Sequence, residues 1–102
     1  MIGPFRVKPH AILPFTIELA PAIPIGASID SVAIRAYALA SGDEMTSRII
    51  VDNAPTATGT KVTIEYKNLV EGRDYGIEVV ATLDTGDPNH KAVETVIFQC
   101  RR

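Results

Sequence analysis

Leu69-Val-Glu-Gly-Arg-Asp-Tyr-Gly-Ile-Glu-Val-Val-Ala81 decides the fold. Glu71-Gly72 is a turn signal, and a two-residue alternation follows it. Tyr75, Ile77, Val79 and Ala81 share one side; Asp74, Gly76, Glu78, Val80 and Thr82 share the other. Successive strand side chains point to opposite faces, so the pattern predicts a strand with one face against a core. Tyr75 stands at its mouth, downstream of Leu69 and Gly72.

The spacing Leu69-x-x-Gly72-x-x-Tyr75, continuing into Ile77, Val79 and Ala81, resembles the corner leading into strand F of fibronectin type III and immunoglobulin-like domains. That resemblance implies a tyrosine ring packed under the corner, its hydroxyl bonded to upstream backbone. Glu71 stands where those domains usually have proline. The motif speaks to fold, not to chemistry.

Working outward, residues 1–14 carry Pro4, Pro9 and Pro14 without a sustained period, which predicts an extended N-terminal arm. Phe5 and Val7 in that arm are candidates to lie on the domain's own open edge or on a neighbouring subunit by strand addition. Residues 15–102 read as one sandwich domain. Phe15–Leu19 alternates as an edge strand between prolines. The Ala20–Ala27 loop follows, and its Ile23 and Ile25 are expected to cap the core. Ser31–Ala40 tolerates a helix but alternates as a strand, and Arg48–Asp52 reads as a short strand. Asn53–Gly59 is built from turn formers. Lys61–Lys67 is a strand with Val62, Ile64 and Tyr66 inward; Asp84–His90 is a polar hairpin loop. The last strand, Ala92–Cys100, has Val96, Phe98 and Cys100 inward. Six or seven evenly spaced strands predict an all-β, immunoglobulin- or fibronectin III-like antiparallel sandwich.

Composition narrows the function. At 102 residues the chain makes one domain, and 22% charged with 46% apolar residues argues against disorder. A net charge of −2 lacks the basic footprint of nucleic-acid binding. The stretch 11–25 is broken by Pro14, Pro21, Pro24 and Glu18, so no membrane span is expected. A single cysteine and no leader pattern predict a soluble protein made in a reducing cytoplasm.

No catalytic constellation is evident. His10 and His90 have no spaced partner, and Cys100 reads as a buried structural thiol despite Arg101 and Arg102. Asp84, Asp87, Asn89 and His90 share a loop, yet their spacing fits neither an EF-hand nor a zinc site. No cofactor or metal is expected. Candidate interaction residues are Phe5, Val7, Ile23, Ile25, Asp87 and His90; Leu69, Gly72 and Tyr75 are structural.

From Lys8 onward the chain resembles phage and prophage fiber–tail adaptors or neck components. The resemblance lies in Lys8–Glu18, Ile29–Ile34, Lys61–Tyr66, Gly72–Tyr75 and the closing Val93–Phe98 hairpin strand. Two departures are Glu18–Pro21, where members often carry Asp-Trp, and the proline-rich loop after it. The resemblance implies a non-enzymatic virion protein, a homo-oligomeric ring holding neck, tail or fiber proteins, made in the host cytoplasm. The alternative reading is a binding or spacer module of a secreted bacterial protein.

Overall fold

In a computed structural model the described residues are 2–9, 11–51, 55–87 and 89–101. His10, the 52–54 part of the turn-rich loop, Pro88 and Arg102 lie outside them. The strands are β1 (Ile2–Val7), β2 (Leu13–Glu18), β3 (Ile29–Ala38), β4 (Thr56–Thr58), β5 (Lys61–Tyr66), β6 (Asp74–Leu83) and β7 (Lys91–Cys100). They form a four-stranded sheet ordered β1-β7-β6-β3 and a three-stranded sheet ordered β2-β5-β4. All pairings are antiparallel except β1 with β7, which is parallel.

Alternation places the core. Tyr75, Ile77, Val79 and Ala81 of β6 are fully buried, as are Val96, Phe98 and Cys100 of β7. Val62, Ile64 and Tyr66 of β5 face them from the other sheet. The layers interlock through aromatic rings packed edge to face. Phe5 meets Phe15 at 4.9 Å, Phe15 meets Phe98 at 4.9 Å, and Tyr66 meets Phe98 at 5.4 Å between centroids. Each such pair contributes roughly 0.5–1.5 kcal/mol beyond burial.

Three expectations are corrected. The first residues are not an arm: Ile2–Val7 is an edge strand, with Phe5 opposite Phe98 and Val7 opposite Cys100. Two apolar side chains fix it there, since Val7 is buried and Phe5 packs on Phe15. The boundary placed at residue 14 falls inside β2. Secondly, residues 48–51, the described part of the stretch expected as a strand over Arg48–Asp52, form no strand. Thr46–Ile49 is one helical turn, α1, and Ile50 follows in extended geometry. Ile49 and Ile50 are both 1% exposed, and a strand would turn one of two neighbours outward. Thirdly, Ile23 is buried as expected but Ile25 is not; its side chain stands wholly in solvent. Residues 24–27 make a turn closed by Ala27 N–H donating to Pro24 O at 3.1 Å, with Gly26 at φ +90°. A positive φ at the third position of a turn is the type II geometry that glycine serves, and Ile25 is left at its tip.

The two outer faces differ. Thr16, Thr63 and Thr56 lie side by side on the three-stranded sheet, flanked by Lys61 and Glu65. On the four-stranded sheet Tyr37 lies opposite Gly76, which lies opposite Ile97. A Cβ at Gly76 would meet Tyr37 Cζ at 2.4 Å, so the ring lies on bare backbone. The Arg35 guanidinium sits 5.2 Å from the ring centroid and pairs with Glu44 at 2.8 Å. Gly76→Ala must displace the ring, and overpacking of this kind costs about 1–3 kcal/mol. In urea melts we expect most of that loss to vanish when Tyr37 is also alanine; an equal cost in both backgrounds would contradict the packing described.

Candidate functional site: the corner and the two ends of the sandwich

Leu69, Gly72 and Tyr75 come together as one unit. Tyr75 is fully buried, and its Oη accepts a hydrogen bond from Val70 N–H at 3.0 Å. Leu69 is buried beside it. Gly72 has open space where a Cβ would stand, so its φ of +85° is the reason for glycine there. Gly72 N–H donates to Cys100 O at 2.9 Å, and Cys100 N–H donates to Arg73 O at 3.0 Å. Lys67 N–H donates to Ile49 O at 2.7 Å, and Asn68, at φ +56°, donates from Nδ2 to Arg48 O at 3.1 Å. The corner therefore ties β5, β6, β7 and α1 together. Tyr75→Phe leaves Val70 N–H without its acceptor, and about 1 kcal/mol of stability should be lost in urea melts. An unchanged midpoint would contradict the role given to the hydroxyl.

Beside the corner a cleft of about 620 Å³ opens between Ala38–Ser41, Asp43 and Gly72–Asp74. Leu39 N–H donates to Asp74 O at 3.1 Å, and Gly42 N–H to Ala38 O at 2.7 Å, so both walls are held by backbone. Leu39 is 43% exposed, and Val70 at the same end is 47% exposed. Arg73 is exposed, while Asp74 pairs with Arg101 at 3.0 Å. Ile12 and Leu13 are also exposed at this end, since Leu13 lies opposite Tyr66 just before the corner. Sequence reasoning missed these apolar residues because single leucines and valines at strand ends carry no signal of exposure.

Val7 and Cys100 face inward. Burial pushes the Cys100 thiol above its ordinary range, and the charge of Glu71 adds to this, with Arg101 opposing. A protonated, enclosed thiol is a poor nucleophile. Thr46 is nearly buried, with Oγ1 accepting Ala36 N–H at 2.9 Å while its hydroxyl bonds the Glu44 carboxylate. That hydroxyl, and then Arg35, hold the Glu44 carboxyl below its usual range.

The opposite end holds Ile23, Ile25, Asp87 and His90. Its polar groups are engaged with one another: Ser28 N–H donates to Asp84 Oδ1 at 2.9 Å, and Asn89 N–H donates to Asp87 Oδ1 at 2.9 Å. His90 Nδ1 is 2.7 Å from Thr85 Oγ1, and its Nε2 is 3.4 Å from Asp87 Oδ2. Asp30, Asp84 and Asp87 line a second cleft of about 360 Å³. The Thr60 hydroxyl, and then Ala20 N–H, hold the nearby Glu18 carboxyl below its usual range. Among the described residues no group of three or more His, Cys, Asp or Glu is placed to hold a metal ion. No described helix is long and apolar enough to cross a membrane. What the site offers is surface: a cleft of mixed apolar and charged lining at one end and a projecting isoleucine at the other.

Compared with known proteins, the chain matches no family model, no curated protein and no solved structure.

Proposed function

We propose that this chain is an immunoglobulin-like structural domain of a virion, a phage neck or tail adaptor that assembles in a ring and holds fibers or neighbouring tail proteins. The observation that carries the reading is the strand arrangement taken with the corner. The order β2-β5-β4 facing β1-β7-β6-β3, with a buried tyrosine opening β6, is the layout expected of an immunoglobulin-like sandwich. It agrees with the sandwich fold implied by the resemblance carried by Lys8–Glu18, Lys61–Tyr66 and Gly72–Tyr75.

The surface chemistry agrees with binding rather than turnover. The corner-end cleft is lined by alanine, leucine and glycine together with Ser41, Asp43, Arg73 and Asp74, and Asp74 is already paired with Arg101. Nucleophilic catalysis needs a nucleophile held against a base, and the Cys100 thiol is enclosed. Apolar contacts at the ends of a rigid sandwich suit a part that holds other proteins in fixed register.

Mass spectrometry and negative-stain microscopy of virus particles purified from cells that carry this chain test the reading. The chain should appear in purified particles in fixed ratio to neck or tail proteins. Absence from every particle fraction, with a strict monomer in solution by light scattering, would overturn it in favour of a secreted spacer module.

A further inference from the structure

We draw no further inference here: the strongest candidate, the surface patch on the outer face of β3, β6 and β7 where Ala33, Val80 and Val93 lie in one row and Tyr37, Gly76 and Ile97 in another, is an unpartnered sheet face, and nothing in the structure shows what covers it.

Discussion

The fold depends on how the chain passes from one sheet to the other between Tyr66 and Asp74. That crossing exposes backbone donors at a point where no ladder can accept them, and an unpaired buried polar group costs about 1–3 kcal/mol. Tyr75 answers the problem from below, since its buried Oη takes the Val70 N–H. Gly72 and Arg73 then hand the corner to Cys100 at the end of β7. With the corner fixed, β6 is held in register against β3 on one side and β7 on the other. The aromatic chain from Phe5 through Phe15 and Phe98 to Tyr66 can then close between the layers.

Edges are the second constraint, because an open sandwich edge invites pairing with another chain. At the end of β3, Ala36 and Ala38 are bonded by Asp43, Met45 and Thr46. At its start, Ile29 donates to Gly59 O at 2.9 Å. The edge of β7 is covered by β1. In β2, Leu19 donates to Thr60 O in line with the pairing to β5. Residues of the other parity therefore face the free edge, and Pro14 sits among them, where its missing N–H breaks no ladder bond. Ile12, Leu13, Ile25, Leu39 and Val70, all exposed, stand at the ends of the sandwich rather than along these edges.

How much of this was legible in the sequence follows from period and punctuation. β5, β6 and β7 were readable because buried residues alternate without interruption, and the corner because Leu69, Gly72 and Tyr75 each have a local reason to be where they are. Residues 2–7 were misread because Pro4 and Gly3 break the period, while the pairing that makes them a strand comes from β7, some ninety residues away in the chain. α1 was misread because Ile49 and Ile50 look like strand residues, and only Thr46 bonded to Ala36 shows why the chain turns there. β4 carries three exposed residues and no apolar signal. The ends were the least legible part, since a cleft made by Leu39 and Gly72 depends on tertiary neighbours that no spacing records.

Hydrogen exchange of the Val70 amide in the native protein tests the central claim most directly. Val70 lies outside the strands and its side chain is half exposed, so by local structure alone its amide should exchange quickly. If Tyr75 accepts that N–H as described, the Val70 amide should exchange as slowly as the core amides of β6, and should lose that protection in Tyr75→Phe. Exchange as fast as that of an unstructured loop amide would contradict the account of the corner.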